Sequence, residues 1–377
     1  MKKTLTALSA FMMTLFFTAC GNAAETPPPA TTPVTPVPGT EATAAPFRVG
    51  ISMPNRSAQR WVIEGEHMRD LLLERGFEVD LQFADDQAPT QVNQLENMLT
   101  AGVDLLIITP IDGSALTMPL ATAGSMGVPV ISYVRLLMNS VYVDYYIAFD
   151  PFAIGVMQGQ NLMDAIGAAQ ASPDNPLFIE LFTGSLDDSN TPFYFDGSML
   201  SIQPYIDAGK VVVRSGQDQM SQVAIQGWDG LLSQSRMQNL LSAHYTDADL
   251  AGVLSPYDGM SIGIISALQS VGYTTLPDNL PIVTGLDAEL PSLVSIWRNE
   301  QYSTVFLDLH YLASSAVVMA EYIARGETPS IINDLDTYHN GVRYVPSYVA
   351  EATLLTRENL WEVIVEGGIF TAEEITG

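Results

Sequence analysis

Short apolar runs alternate with stretches of helical periodicity from Phe47 onward, and this rhythm constrains the fold more than any single motif does. Residues 47–52 read as a buried strand, and the segment after it carries Met68, Leu71 and Leu72 at helical spacing before stopping at Gly76. Residues 78–83 form a second strand, and Val92, Leu95 and Leu99 mark a helix closed by Gly102. Residues 105–109 and 128–133 are further apolar strands with a short helix between them, and the rhythm resumes at 177–182, 211–213, 252–255 and 282–284. Strands that each feed a helix pair in parallel, in a sheet covered on both faces. At 377 residues the chain holds two domains of about 150 residues each, so two similar α/β lobes are expected rather than one large sheet.

The N-terminus belongs to another kind of segment. Lys2 and Lys3 precede a mostly apolar stretch over residues 5–17, and Thr18-Ala19 places small residues before Cys20. A charged start, a short apolar region and a small-residue site read as a cleaved export signal over 1–19, too short to span a bilayer. Cys20 is the one cysteine, so an internal disulfide or a thiolate metal site is excluded. Its position resembles a bacterial lipobox, which implies acylation of Cys20 and a membrane anchor on the extracytoplasmic face. Residues 20–46 are rich in Pro, Thr and Ala and lack large apolar side chains, the composition of a semi-extended tether. With 15 basic and 42 acidic residues the formal net charge is −27, a field that repels nucleic acid and anionic lipid headgroups.

Ligands of open parallel sheets bind beyond the carboxyl ends of the strands. The first strand is followed by Ser52, Asn55, Arg56, Ser57, Arg60 and Trp61, and the fourth ends in Tyr133, Val134 and Arg135. The later strands offer Asp187, Asp188 and Asn190, then Tyr257 and Asp258, then Asp287. Carboxylates and guanidinium groups bind hydroxyls, and an aromatic face covers C–H surface, so this set fits a polyol cleft. Asp258 and Asp287 also fit as helix caps, but Arg60, Arg135 and Trp61 do not cap helix N-termini. Trp228 has a competing reading as a core aromatic on an amphipathic helix with Leu231 and Leu232.

Other chemistry lacks residues to rest on. Gly259-Met260-Ser261-Ile262-Gly263 matches a nucleophile-elbow pattern, but Ser261 falls in the first turn of a helix rather than on the turn after a strand. His67, His244, His310 and His339 are scattered without metal-ligand spacing. Asp187 to Asn190 lacks the Gly and Glu of a calcium loop, and Met53-Pro54-Asn55 stands where a phosphate loop needs glycines. A binder that uses no metal or cofactor and performs no reaction is expected.

Val49-Gly50-Ile51-Ser52-Met53-Pro54 with Arg60-Trp61, Ser255-Pro256-Tyr257-Asp258-Gly259 and Gly285-Leu286-Asp287-Ala288-Glu289 resemble the multiple-monosaccharide-binding proteins of bacterial ABC importers. Residues 239–243 and 300–304 extend the resemblance, which covers nearly all of the chain after Pro46. It implies the type I periplasmic-binding-protein fold, two Rossmann-like lobes joined by three chain crossings. The expected division is 47–150 with 288–335, and 151–287 with 336–377. It also implies closure on a monosaccharide or related small molecule and docking on an ABC permease, with Trp61 and Trp228 stacking on the ring and Asp287 binding hydroxyls. Arg60, Arg135, Asp188, Asn190 and Asp258 fall where polar contacts are expected. Val134, Pro151, Leu286 and Leu307 occupy positions that are usually polar in those relatives, which shifts the expected ligand toward a less polar sugar or another solute. A sugar-sensing co-receptor for a membrane signalling protein is the alternative role. Truncating Trp61 or Asp287 to alanine is expected to weaken binding with little change in thermal stability.

Overall fold

The computed structural model describes residues 46–377, so the expected signal, Cys20 and all but the last tether residue lie outside the described residues. The chain begins with β1 (Arg48–Met53), α1 (Gln59–Glu74), β2 (Glu78–Phe83), α2 (Ala88–Thr100), β3 (Leu105–Ile108), α3 (Thr117–Met126), β4 (Val130–Tyr133) and β5 (Tyr145–Phe149). It continues through α4 (Pro151–Ala165), β6 (Leu177–Leu181), α5 (Thr191–Asp207), β7 (Val211–Val213), α6 (Met220–Val223), α7 (Gly230–His244), β8 (Gly252–Leu254), α8 (Asp258–Ser270) and β9 (Ile282–Val283). It closes with α9 (Leu290–Trp297), β10 (Ser303–Phe306), α10 (Leu309–Ala324), β11 (Ser347–Ala350), β12 (Thr353–Thr356) and α11 (Ala372–Thr376).

Two parallel sheets result. The first has the order β11-β5-β4-β3-β1-β2 and the second β7-β6-β8-β9, while β10 and β12 form a separate antiparallel pair. Every residue of β3 and β4 is buried, as a central strand covered on both faces must be. In the first half, one apolar layer packs α1 and α10 against β1, β3 and β4 through Met53, Met68, Leu72, Ile107 and Val317. The opposite layer packs α2 and α3 through Leu95, Met98, Leu106 and Leu120.

The expected strands recur within two residues of their sequence bounds, but the expected division of the chain needs correction. Residues 347–350, assigned to the second lobe, pair in parallel with β5 and complete the edge of the first sheet. Of residues 288–306, assigned to the first lobe, α9 packs elsewhere, joining Leu355, Leu360, Ile364 and Ile375 in a separate apolar cluster, while Val305 of β10 still touches the main core. The chain therefore passes between the two halves near Asp150, near Leu307 and near Glu351. The last two passages were misplaced because β5, β10, β11 and β12 are short strands whose pairing partners lie far away in sequence.

A candidate ligand-binding cleft

A cavity of about 360 Å³ opens between the carboxyl ends of the two sheets, within the size range of small-molecule sites. Seven of the eight residues singled out from sequence line it: Arg60, Trp61, Arg135, Asp188, Asn190, Trp228 and Asp287.

Arg60 and Trp61 sit in the first turn of α1, whose entry is set by Asn55, the Oδ1 of which accepts from the Ala58 N–H at 2.9 Å. The Arg60 guanidinium is shared between two carboxylates. Nη1 meets Asp287 Oδ1 at 2.6 Å, while Nε and Nη2 meet Glu64 at 3.3 and 3.2 Å. Glu64, one helical turn on, also accepts from the Tyr133 hydroxyl at 3.0 Å. Burial opposes the charge on Arg60, but Asp287 and Glu64 outweigh it and raise the affinity of Arg60 for its proton. Burial likewise pushes the Asp287 carboxyl upward, against the opposing pull of Arg60 and Arg135. Asp287 adopts a left-handed backbone, φ 94°, and so does Ala288 at 52°. Strained non-glycine positions of this sort persist only where the surroundings over-determine them.

The end of β4 is tied to the loop after β6. Val134 is left-handed, φ 61°, and its carbonyl accepts from Tyr146 Oη at 2.8 Å and from Asn190 Nδ2 at 2.9 Å. Arg135 Nε pairs with Asp188 Oδ2 at 2.7 Å, a contact largely withdrawn from water. The guanidinium carbons of Arg60 and Arg135 lie 4.5 and 5.3 Å from the Trp61 ring centroid, so two cations face this aromatic.

On the second half, Trp228 is in a short 3₁₀ turn (Gln226–Trp228) ahead of α7, held by the Gly227 N–H donating to Ser185 Oγ at 2.9 Å. Its indole meets Tyr194 and Tyr257 edge to face at 6.1 and 6.3 Å. The buried indole N–H has no acceptor among the described residues, an exception to the rule that buried donors are paired. Tyr194 reaches the wall because α5 packs backbone to backbone on α4. A Cβ at Gly155 would stand 2.2 Å from the Tyr194 carbonyl oxygen, so only glycine permits that approach.

One expected site residue stands apart from the wall. Asp258 is fully buried and absent from the cavity wall: its carboxylate accepts from Thr304 Oγ1 at 2.8 Å, Gln301 Nε2 at 3.2 Å and the Glu289 N–H at 2.9 Å. The first residue of α8 thus points into the protein, where burial raises its pKa well above the carboxylate range. Trp228 is not a helical core residue, since Leu231 and Leu232 of α7 are 74% and 50% exposed. Ser261 is buried in the first turn of α8, within 2.7 Å of the Thr284 carbonyl and 2.8 Å of Ser255 Oγ, and is not on a nucleophile elbow. Val134 and Leu286 do reach the cavity wall, whereas Leu307 bounds a smaller cavity beside it and Pro151 opens α4 after its cap, Asp150. Tyr194 and Glu64 were missed. Each lies four residues beyond a predicted site residue, Asn190 and Arg60, and that helical interval is the signal that could have found them.

Trp61 also departs from expectation, being only 4% exposed and part of the main core. Trp61→Ala is therefore expected to lower folding stability by about 3 kcal/mol besides weakening binding, as large-to-small core changes do. The half-buried Trp228→Ala should lower stability less for a comparable loss of affinity. Urea unfolding with ligand titration on both variants checks this, and equal stability losses would contradict it.

Among the described residues, no group of three or more His, Cys, Asp or Glu is placed to hold a metal ion, and no helix is long and apolar enough to cross a membrane.

Comparison with known proteins agrees with this geometry. Residues 49–328 match the family profile described as a periplasmic binding protein domain. The chain is 46% identical over 327 residues to the multiple sugar-binding periplasmic receptor ChvE of Rhizobium radiobacter, covering 87% of this chain and 92% of that protein. It is 44% identical over 323 residues to the multiple sugar-binding periplasmic protein SbpA of Azospirillum brasilense, covering 86% and 89%. An ABC transporter solute-binding protein from Clostridium phytofermentans, solved with β-D-glucose bound, superposes with a TM-score of 0.82 at 36% identity, over 87% of this chain and 99% of that one. The profile match, the two relatives and the shared architecture of paired parallel sheets show that this chain belongs to the periplasmic binding protein family.

Proposed function

We propose that the protein is an extracytoplasmic receptor that binds a monosaccharide between its two halves, closes on it and delivers it to an ABC permease, without chemical change to the ligand. The observation that carries this reading is the convergence of Arg60, Trp61, Arg135, Asp188, Asn190, Trp228 and Asp287, drawn from both sheets, on one cavity. One buried and one largely buried arginine–aspartate pair supply hydroxyl donors and acceptors, and the tryptophans supply apolar faces for a sugar ring. Asp258 serves as a structural tie, and Tyr194 takes its place among the residues that touch ligand. The names of the two relatives and the glucose held by the Clostridium protein support the ligand class.

The three passages near Asp150, Leu307 and Glu351 act as the hinge, with residues 47–149 and 309–350 forming one lobe and residues 151–306 and 353–377 the other. Cys20 carries a lipid that holds the receptor to the outer face of the membrane, and residues 21–46 give it reach. Val134 and Leu286 present apolar surface at the wall. A hydroxyl stranded against such surface costs about 1–3 kcal/mol, so sugars lacking a hydroxyl there are preferred.

Thermal unfolding of the mature protein against hexoses, pentoses, deoxyhexoses and nucleosides tests the reading. A ligand present at about a hundred times its Kd stabilises by about 2.7 kcal/mol. At least one monosaccharide should therefore raise the melting temperature at micromolar concentration. A panel in which only nucleosides do so, or in which no sugar does, rejects it.

A further inference from the structure

Glu289 does not line the ligand cavity, yet it grips a residue that does. Its Oε1 accepts from the Tyr257 hydroxyl at 2.8 Å, while the Tyr257 ring forms part of the cavity wall and meets Trp228 edge to face. Gly259 packs closely on the same ring, since a Cβ there would stand 2.6 Å from Tyr257 Cε1. The left-handed pair Asp287-Ala288 aims two acids, two residues apart, in different directions, Asp287 to Arg60 and Glu289 to Tyr257. The Glu289 backbone is pinned by its N–H donating to Asp258 Oδ2 at 2.9 Å.

The side chain of Glu289 bounds a separate cavity of about 120 Å³, lined by Phe306, Leu307, Ile369 and Phe370 among others. Charged and titratable groups face it from each neighbouring element. These are Arg60 from α1, Tyr257 and Asp258 at the start of α8, Asp287 from its own turn, and Asp308 and His310 from the start of α10. Burial, and next the charge of Asp287, push the Glu289 carboxyl up to about 7, against the opposing pull of the Tyr257 hydrogen bond and Arg60. A phenol donating to an ionised carboxylate makes a markedly stronger bond than one donating to a neutral acid.

We propose that Glu289 is a positioning residue of the ligand site, holding the Tyr257 ring in the cavity wall most firmly when ionised, so that ligand affinity follows its ionisation. This rests on the reading of the cavity as the ligand site. The sign follows from the bond: affinity is highest above neutrality and falls as pH drops through Glu289's titration.

The test titrates D-glucose into wild type, Glu289→Gln and Tyr257→Phe between about pH 5.5 and about pH 8.5. In parallel, the indole fluorescence of the ligand-free proteins is followed over the same range, with urea unfolding to verify that each variant is folded. Wild-type affinity should fall about three- to tenfold from the alkaline to the acid end, the range expected when a charge-assisted hydrogen bond becomes a neutral one. Both variants should give flat profiles, with Glu289→Gln near the acid value of the wild type. The ligand-free wild type should show a fluorescence step near neutrality that Glu289→Gln lacks. A wild-type slope that survives in Glu289→Gln overturns the proposal and assigns the pH dependence to another group, and absence of the fluorescence step in the wild type overturns it too. If D-glucose binds none of the proteins, the sugar reading is what suffers, and the ligand-free step still decides the role of Glu289.

Discussion

Asp287→Ala should abolish measurable ligand binding and also lower folding stability by about 3 kcal/mol, near the lower end of the cost of breaking a buried ion pair. The pair with Arg60 is 2.6 Å long, and its side chains are only 7% and 6% exposed. Glu64 remains beside Arg60 in the variant, which keeps the loss from being larger. This outcome differs from the expectation of a silent effect on stability, because the sequence does not show that the carboxylate already serves a buried cation. A second contribution comes from the backbone: alanine at φ 94° keeps the strain of the wild type, whereas glycine relieves it. Asp287→Gly should thus be more stable than Asp287→Ala by about 1 kcal/mol while binding no better. Calorimetric titration with the best sugar of the panel, alongside urea unfolding, measures both quantities. Wild-type affinity in Asp287→Ala would remove this carboxylate from the ligand site.

Gly184→Ala should cost at least ~100-fold in affinity, equivalent to about 2.8 kcal/mol. A Cβ at this position would stand 2.1 Å from Trp228 Cζ2, well inside contact distance, so the indole must leave its seat. Displacing it also breaks its edge contacts with Tyr194 and Tyr257. Overpacking of this kind costs about 1–3 kcal/mol in stability. Because the clash needs the indole, Gly184→Ala combined with Trp228→Ala should recover stability but not affinity, a non-additive pair. An unchanged affinity in Gly184→Ala would show that the Trp228 ring can move without consequence and that it does not form the ligand wall.

How legible this protein was depended on the range of the interactions involved. Strands β2 and β7 were bounded correctly because their flanking signals are local, and α1 and α2 were marked by apolar spacing and the glycines after them. The rule that ligands sit beyond strand ends led to Arg60, Trp61, Arg135, Asp188 and Asn190, all of which line the cavity, without knowledge of the fold's details. It failed for Asp258 because the first residue of a helix after a strand can face inward or outward, and here Thr304 and Gln301, more than forty residues away, draw it inward. Trp228 was legible as a candidate cavity residue through resemblance, but not as a residue of a left-handed turn seated on Gly184.

The sequence by itself determined the α/β class, the rhythm of the strands, the polar strand ends and the kinship, since each of these is written in neighbouring residues or in matching runs of them. Only the tertiary structure decided where the chain crosses between halves, which carboxylate shares a cation with which, and which tryptophan is committed to the core. Arg60 and Asp287 meet across 227 positions of chain, and burial of that meeting depends on both halves being folded. Pairing and desolvation are properties of the assembled three-dimensional neighbourhood, so no local reading could have supplied them.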